Sequence, residues 1–372
     1  MIKKAFSKEN RKKTLALLLA AFLLFLLVGN AVAAVIVHDA FFVRYERPDY
    51  RLQPGMYDYG RFAGSLPRET LTVETEDADL AAYYYPVQDP KGLVVVVHGY
   101  HAGADDLLPL TEALVKGGYA VFSYDGTGNY SSGGDGGIGM CQSLKDLDAV
   151  LDWLSVNAPY AEMPKLLVGH SLGGYAVTSV LALHPEVAAC AAIAPVCDGA
   201  DLMFGRSYEM IGPVAYAAKP VFDVYQKILF GEYTRYDAVV GINSVDIPVL
   251  IAQGKEDTDI THDGLSVTAY LDRLTNPNVA VQWFEGAQGT HTGILRSGAA
   301  EEYILSVEAS LQHMQEEKGS ALTEEEVAAY YKTVDHRLYS EVNPELVEKI
   351  LETFEKGMKS QDAMRPDFFT LW

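Results

Sequence analysis

The sequence is poor in cysteine and in basic residues. Its 372 residues include only Cys141, Cys190 and Cys197, a small and odd number that implies no disulfide framework. Cys190 and Cys197 flank an apolar segment, so we expect inert core thiols. Against 50 acidic residues there are 29 basic ones, for a net charge of −21, and no basic stripe. A nucleic-acid partner is therefore not expected, because binding phosphates requires clustered Lys and Arg.

Patterns typical of metal and nucleotide sites are also missing. No group of His, Cys and Asp residues has the spacing of metal ligands. Gly126-Thr-Gly128 follows a strand-like run, but it lacks the full dinucleotide fingerprint and a helix opening directly after it. The sequence therefore predicts no metal and no cofactor.

Positive charge is concentrated before residue 14. Residues 1–13 carry six basic residues and one acidic residue, which leaves −26 for the rest of the chain. The uncharged run Thr14–Val37 follows and, at 24 residues, is long enough to cross a bilayer. Basic residues before such a run predict a cytoplasmic N-terminus and a translocated body. We thus expect a basic cytoplasmic segment over 1–13, a single transmembrane helix or signal anchor over 14–37, and an extracytoplasmic body at the cell membrane.

A cleavable signal peptide is the alternative for this segment. Leu15–Val28 would be its apolar region and Ala31-Val32-Ala33 its cleavage site, and cleavage near Ala33 would release a secreted protein. Apolar sequence continues past that site through Val35-Ile36-Val37, which favours the uncleaved anchor.

Short β-prone runs alternate with helix-like runs from residue 71 onward. The predicted strands are 71–76, 80–85, 92–97, 119–124, 165–168, 187–195, 247–252 and 279–284, and the predicted helices are 107–116, 143–156, 172–184, 265–274 and 301–313. Such alternation implies right-handed crossovers. The expected fold class is α/β, with a mostly parallel, doubly wound sheet.

The alternation divides the chain into regions. Residues 38–67 are aperiodic and are predicted to be a connector, and residues 68–318 form the α/β domain. An insertion over about 197–244 is rich in large apolar side chains, which predicts a helical cap whose side chains pack on the core or, for a few, line an acyl pocket. Residues 319–372 form a helical extension, with a capping box at Thr323-Glu-Glu-Glu326 and a second helix near Pro344–Met358. What the extension packs on, and the oligomeric state, stay open.

Residues 169–173 read Gly-His-Ser-Leu-Gly at a predicted junction of strand and helix. A serine nucleophile must sit on a sharp turn to expose its Oγ, and Gly169 and Gly173 remove side chains that would clash there. The N–H of Leu172, at the start of the helix, would point toward a developing oxyanion. A plain serine in a glycine turn is the competing interpretation, because the pentapeptide alone is common.

Three other strand ends carry suitable groups. His98-Gly99-Tyr100 follows one strand, and the N–H of Tyr100 is the expected second oxyanion donor. Asp257 and His291 follow two later strands, which gives the order Ser, Asp, His. A serine hydroxyl is a poor nucleophile unless an imidazole takes its proton and a carboxylate orients that imidazole.

Other residues compete for these roles. Glu256, Asp259 and Asp198 are alternatives to Asp257, whereas His262 and His313 fit the role of base less well than His291. His170 and His101 are expected to shape the pocket, and His184 and His336 to lie at the surface.

From about Leu71 to His313, the chain resembles the α/β-hydrolase superfamily. The residues that carry this resemblance are His98-Gly99, Tyr124-Asp-Gly-Thr-Gly128 with Ser131-Ser-Gly-Gly134, Gly169-His170-Ser-Leu-Gly173-Gly174, Gly254-Lys-Glu-Asp257 and His291. The resemblance implies the α/β-hydrolase fold, with Ser171 as nucleophile, Asp257 as acid and His291 as base. Within the superfamily the chain is most similar to esterases, monoacylglycerol lipases and lysophospholipases.

That likeness implies hydrolysis of a small or lipid-derived carboxylic ester through an acyl-enzyme. A serine peptidase or an acyltransferase would use the same triad, because water, an amine or an alcohol can each attack the acyl-enzyme. A non-catalytic scaffold on the same fold is a further alternative.

Overall fold

The computed structural model describes residues 8–364. Residues 1–7, which include Lys3 and Lys4 of the predicted basic segment, and residues 365–372 of the predicted extension lie outside the described residues. The side chains of 8–10, 209–211, 214, 217 and 362–364 are likewise not described.

Eight strands form one sheet in the order β1-β2-β4-β3-β5-β6-β7-β8. They are β1 (Glu69–Glu74), β2 (Asp79–Tyr85), β3 (Leu93–Val97), β4 (Ala120–Tyr124), β5 (Lys165–His170), β6 (Ala189–Ile193), β7 (Val249–Gly254) and β8 (Val279–Phe284). Pairing is antiparallel between β1 and β2 and between β2 and β4, and parallel in every later pair. Strands β3 to β7 are buried along their whole length, because packed elements cover both faces. The predicted mostly parallel sheet is confirmed.

The α-helices of the described residues pack around this sheet. They are α1 (Lys8–Phe41), α2 (Leu108–Lys116), α3 (Gln142–Val156), α4 (Leu172–Ser179), α5 (Gly199–Ile211), α6 (Ala215–Phe230), α7 (Ala238–Asn243), α8 (Gly298–Lys318), α9 (Glu324–Tyr331), α10 (His336–Tyr339) and α11 (Pro344–Met364). The α-helix predicted over 265–274 is wrong, since Val267–Arg273 is a 3-10 run that Tyr270 interrupts at φ −124°. Its first residues, Val267 and Thr268, are β-branched and lose rotamer freedom in an α-helix.

The insertion between β6 and β7 is helical, as predicted. It consists of α5, α6 and α7 joined by 3-10 turns, and α5 packs against α6. The helix α7 packs on α4, which directly follows Ser171. The cap is therefore joined to the sheet through the helix that begins at the serine turn.

Helix α1 extends beyond the predicted span at both ends. Within the described residues it is the one helix that is long and apolar enough to cross a membrane, and a signal sequence has the same properties. Its apolar side chains are exposed from Leu15 to Val28. Its last turns differ, since Ala34 and His38 are buried against the cap helix α6.

The segment after α1 lies along the sheet domain. Val43 and Tyr45 form β-bridges with Gly136 and Asn129. The guanidinium of Arg44 donates hydrogen bonds of 2.6–2.9 Å to the carbonyls of residues 130, 132 and 134. Farther along, residues 56, 62 and 66 are buried in the core beside α2. Residues 42–67 thus form part of the packed body.

The C-terminal extension packs on one face of the sheet. Leu346, Ile350 and Phe354 stand four residues apart on α11 and are fully buried. They belong to the same apolar cluster as β6 and α2. The core on this face is therefore completed by residues that are distant in sequence from the strands.

Candidate active site

Ser171 occupies a strained turn between β5 and α4. Its backbone angles are φ 58° and ψ −116°, a region that non-glycine residues rarely adopt. The turn is held by a hydrogen bond of 2.9 Å from the N–H of Ser171 to the carbonyl of Ile193, and by one of 3.1 Å from the N–H of Tyr175 to the carbonyl of Ser171. The strand, turn and helix expected around the serine are therefore present.

The glycines that flank the serine are required by close backbone contacts. A Cβ on Gly169 would lie 2.2 Å from the carbonyl oxygen of Gly173. A Cβ on Gly173 would lie 2.2 Å from the carbonyl oxygen of Val97, on the neighbouring strand β3. A side chain at 169 would therefore push β5 away from the start of α4, and one at 173 would push the serine turn away from β3.

Leu172 and Tyr100, the residues predicted to supply the oxyanion donors, belong to the segments around Ser171. Leu172 begins α4, so its N–H has no partner four residues earlier in that helix. Gly99 faces the serine, since a Cβ built on it would lie 3.3 Å from Ser171 Cβ. Tyr100 follows Gly99 and lines the same cleft as Ser171. Its hydroxyl donates to the carbonyl of Phe41, which connects this loop to the end of α1.

Asp257 and His291 meet at the carboxyl ends of β7 and β8. His291 Nδ1 lies 2.8 Å from Asp257 Oδ2, and the N–H groups of Asp259 and Ile260 donate to Oδ1 at 2.9 and 2.8 Å. Burial raises the pKa of Asp257, but the hydrogen bond and charge of His291 and these two N–H groups outweigh burial. Its pKa therefore falls below the ordinary value, which favours an ionised carboxylate.

The competing acids are engaged elsewhere. Asp198 caps α5 by accepting a hydrogen bond of 2.7 Å from the N–H of Ala200, and burial raises its pKa. Asp259 pairs with Arg206 at 2.9 Å. Glu256 is exposed. Of the four acids considered from the sequence, Asp257 is the one that the structure pairs with His291.

The two histidines that compete with His291 for the role of base contact residues other than Asp257. His262 packs edge-on against Trp283, and His313 is exposed beside Glu317. His291, by contrast, lines the same cleft as Ser171.

This cleft has a volume of about 300 Å³. Its walls include polar groups at Ser171 and His291 and apolar side chains at Leu107, Leu110 and Leu295. The cleft therefore combines a few convergent polar groups with an apolar lining, which is typical of sites for small molecules.

Comparison with solved structures concerns the fold of the chain. The chain is similar to the esterase Pf2001 of Pyrococcus furiosus, with a TM-score of 0.52 and 19% identity over 74% of this chain and 98% of that one. A second crystal form of that esterase gives a TM-score of 0.50 and 21% identity over 68% and 89%. The chain has the α/β-hydrolase fold. At these identities the likeness establishes the fold alone.

The chain also matches a family model over part of its sequence, and it has a weaker likeness to the structure of a lipase. A family model described as serine aminopeptidase, S33, matches residues 88–246 of this chain. That range includes Ser171 and ends before Asp257 and His291. A monoacylglycerol lipase of Paleococcus ferrophilus has a TM-score of 0.41 and 20% identity over 57% of this chain and 90% of that one. No curated protein matches the chain.

Two further histidines hold the loops around the candidate site. Burial lowers the pKa of His170 to about 3, so its ring is neutral at neutral pH, and its Nε2 donates to the carbonyl of His291 at 2.9 Å. His98 Nε2 accepts from the N–H of Gly126 at 2.8 Å, while its Nδ1 donates to the carbonyl of Gly99 at 2.7 Å. These rings fix the loops that carry His291 and Tyr100.

The surface interpretation of His184 is wrong. Its ring is buried, with Nε2 and Nδ1 each 2.8 Å from a carboxylate oxygen, of Asp148 and Glu186 respectively. His336 is half-buried, with Nδ1 against the carbonyl of Pro54. Neither histidine lines the cleft. Glu186 is a local partner of His184, two residues along the chain, whereas Asp148 reaches it through packing that the local sequence does not reveal.

Several cleft residues were missed by sequence reasoning. Tyr57 comes from the connector, Arg296 from the loop after β8, and Ser340 and Val342 from the C-terminal extension. No local pattern marks them, because they reach the cleft through packing of distant segments. The expectation that cap side chains line an acyl pocket is not met here, since no described residue of 197–244 lines this cleft.

The side chains at the acid–imidazole pair are close enough to bind a cation, but their ligand atoms are already engaged in hydrogen bonds. Ligand atoms of Asp257, Asp259 and His291 lie within 4.8 Å of one another. Both oxygens of Asp257 already accept hydrogen bonds, and one of these joins it to His291. A cation would have to displace that hydrogen bond, so the donor set suits an acid–imidazole pair better than a metal.

The close contact at Gly173 generates a stability prediction. Gly173→Ala should lower the free energy of unfolding by about 1–3 kcal/mol, because the methyl group overlaps the carbonyl of Val97 and forces the backbone to shift. The measurement is denaturant unfolding of the full chain in detergent. Gly298→Ala is the control, since a Cβ on Gly298, at the start of α8, meets no atom within 4 Å. Equal stabilities of the two variants would contradict the close packing of the serine turn.

Proposed function

We propose that this protein is a serine hydrolase that cleaves carboxylic esters through an acyl-enzyme. The observation that carries the proposal is the pairing of His291 with Asp257 at the rim of the cleft that contains Ser171 on its strained turn. These groups have the chemistry of a nucleophile, a base and an orienting acid.

The proposed reaction has two stages, formation of the acyl-enzyme and its hydrolysis. Ser171 Oγ attacks the ester carbonyl while His291 Nε2 takes its proton. The N–H groups of Tyr100 and Leu172 then stabilise the oxyanion. His291 returns the proton to the leaving alcohol, and it next activates the water that hydrolyses the acyl-enzyme. Asp257 holds Nδ1 of His291, which leaves Nε2 as the nitrogen that takes the proton.

The form of the cleft supports an ester of small or lipid-derived acyl groups as substrate. Its apolar wall includes Leu107, Pro109, Leu110, Leu295 and Val342, which suit an acyl chain. The Pyrococcus furiosus protein with a similar fold is described as an esterase, which agrees with this substrate class.

The location we propose is the cell membrane, with the catalytic body on the outer side. Helix α1 is long enough to span a bilayer, and its apolar surface is exposed all round between Leu15 and Val28. Basic residues precede it, which favours a cytoplasmic N-terminus. Secretion after cleavage near Ala33 is the alternative. Cleavage there would remove most of α1 and leave His38 at the new N-terminal end.

Labelling with a fluorophosphonate probe tests the nucleophile. The wild-type full chain in detergent should label, and Ser171→Ala should lose labelling, because the probe reacts with an activated serine. Ser155→Ala, on the exposed end of α3, is the control and should label as wild type does. Equal labelling of wild type and Ser171→Ala would refute the proposal.

A second variant tests the acid. Asp257→Asn should lower kcat for a p-nitrophenyl ester by about 10⁴-fold, because the amide stabilises the wrong tautomer of the imidazole. Asp198→Asn is the matched control, since Asp198 caps a helix of the cap and should leave kcat within a few-fold of wild type. Full activity of Asp257→Asn with loss in Asp198→Asn would assign the acid to Asp198 instead.

A serine peptidase is the second candidate, and the match to a family model described as serine aminopeptidase favours it. An aminopeptidase needs a group that binds the free amino end of a peptide. Asp106 lines the cleft, but one of its oxygens accepts from both the N–H of Gly103 and the hydroxyl of Tyr130, and burial raises its pKa. These contacts weaken Asp106 as a partner for an ammonium group.

A substrate panel separates the two candidates. We expect higher kcat/KM for p-nitrophenyl esters and monoacylglycerols than for aminoacyl p-nitroanilides, because the apolar wall suits an acyl chain better than a charged amino end. Loss of both activities in Ser171→Ala controls for a contaminating enzyme. The reverse order of kcat/KM would establish the peptidase, and a rate that rises on adding an alcohol acceptor would indicate acyl transfer.

A further inference from the structure

The cap helices α5 and α6 expose a cluster of large apolar side chains. Beyond α1, nine large hydrophobic residues are exposed in the described part of the chain, and four of them lie on α5 and α6. These are Tyr208, Tyr216, Val224 and Ile228, which are 43%, 64%, 60% and 73% exposed. Single exposed apolar residues are ordinary, whereas a cluster marks an interaction surface.

The cluster is continuous along one face of α6. Tyr216, Pro220, Val224 and Ile228 stand four residues apart, so they follow one another along the helix surface. Tyr208 of α5 extends this row, since its ring centroid lies 5.8 Å from that of Tyr216. We call these five residues the cap stripe. None of them lines the cleft of Ser171, so the stripe is not a wall of the substrate site.

The helix that carries the stripe packs against the end of α1. Ala34, His38 and Phe42 are buried at four-residue spacing on the side of this segment that meets the body. The ring of His38 lies 4.9 Å from that of Tyr225, and its Nε2 contacts Gln226. Contacts between α1 and α6 therefore begin inside the apolar run Thr14–Val37 and continue past its end.

These contacts set the height of the cap relative to a bilayer. A helical run of 24 residues is about 36 Å long, against about 30 Å for the hydrocarbon core. Ala34 and His38 lie at the end of this run, which corresponds to the boundary between acyl chains and headgroups. Helices that lie in this boundary bury their apolar faces by about 5–10 Å.

Charge around the stripe favours apolar insertion over electrostatic attraction. Lys219 pairs with Asp223 at 3.1 Å, and Lys227 is the other basic residue of α6. The body as a whole is strongly acidic and would be repelled by anionic lipids. A surface that is nearly neutral and apolar suits a zwitterionic bilayer.

We propose that the cap stripe inserts into the interface of the bilayer that α1 crosses. This inference rests on the proposed membrane location of α1. The body would then lie on the membrane through its cap and would not merely be tethered to it. Phe41 and Phe42, which connect α1 to the loop of Tyr100, place this contact beside the proposed ester site.

Quenching by lipids tests the insertion in the full chain. The chain is reconstituted in phosphatidylcholine vesicles that carry a nitroxide on the acyl chain, with a bimane label on a single introduced cysteine. The labelled variants are Leu24→Cys in the middle of α1, Val224→Cys and Ile228→Cys in the stripe, and Leu305→Cys on α8. Leu305 is the matched control because it is 63% exposed on another helix of the body. The three native cysteines are buried, and the unmodified chain gives the labelling background.

We expect the label to be quenched at Leu24 and also at Val224 or Ile228, by at least about twofold more than at Leu305, because interfacial side chains reach the acyl chains. Quenching at Leu24 with stripe positions no more quenched than Leu305 would overturn the insertion and leave the anchor intact. Absence of quenching at Leu24 would overturn the membrane location itself, and the insertion with it. Neither result bears on labelling of Ser171, which tests the hydrolase separately.

Discussion

The backbone turn at Ser171 is the constraint on which the other parts of the site depend. A non-glycine residue with a positive φ costs about 1–3 kcal/mol, so the surrounding structure must hold it in place. Here β5, β6 and α4 supply the hydrogen bonds, and the glycines at 169 and 173 allow the backbone to approach β3. Because parallel strands end at the same edge of the sheet, the loops after β3, β7 and β8 then bring their side chains to the serine.

The loop after β3 is stabilised from outside the predicted catalytic domain. Arg47 of the connector and Arg68, the first residue of the predicted α/β domain, both pair with the buried carboxylate of Asp105, and Arg68 does so at 2.6 Å. A buried carboxylate without these cations would be strongly destabilising. The connector therefore supports the loop that carries Tyr100, and together with the C-terminal extension it supplies part of the cleft wall.

The sequence was sufficient for those features that depend on strand order. The alternation of strands and helices predicted the sheet, and the positions of Asp257 and His291 after β7 and β8 predicted that they would lie together. It was insufficient wherever distant segments pack, as for Tyr57 and Val342 in the cleft or the buried ring of His184. Periodicity reports which face of an element is apolar, but it does not report which segment covers that face.

Three apolar helices of this chain illustrate that limit. The stripe of α11 at Leu346, Ile350 and Phe354 is covered by the sheet, because the edge of the core beside β6 and α2 leaves room for it. Helix α1 is apolar on all sides, and its described side chains are buried only along its last turns. The apolar residues of α6 divide, since those facing α1 and the core are buried and those on the opposite face are exposed. A hydrophobic residue lowers the free energy of the chain only where something removes it from water, at about 25 cal/mol per Å². The exposed face of α6 therefore gains nothing from folding alone, and burial in the bilayer interface that we propose for it would supply that gain.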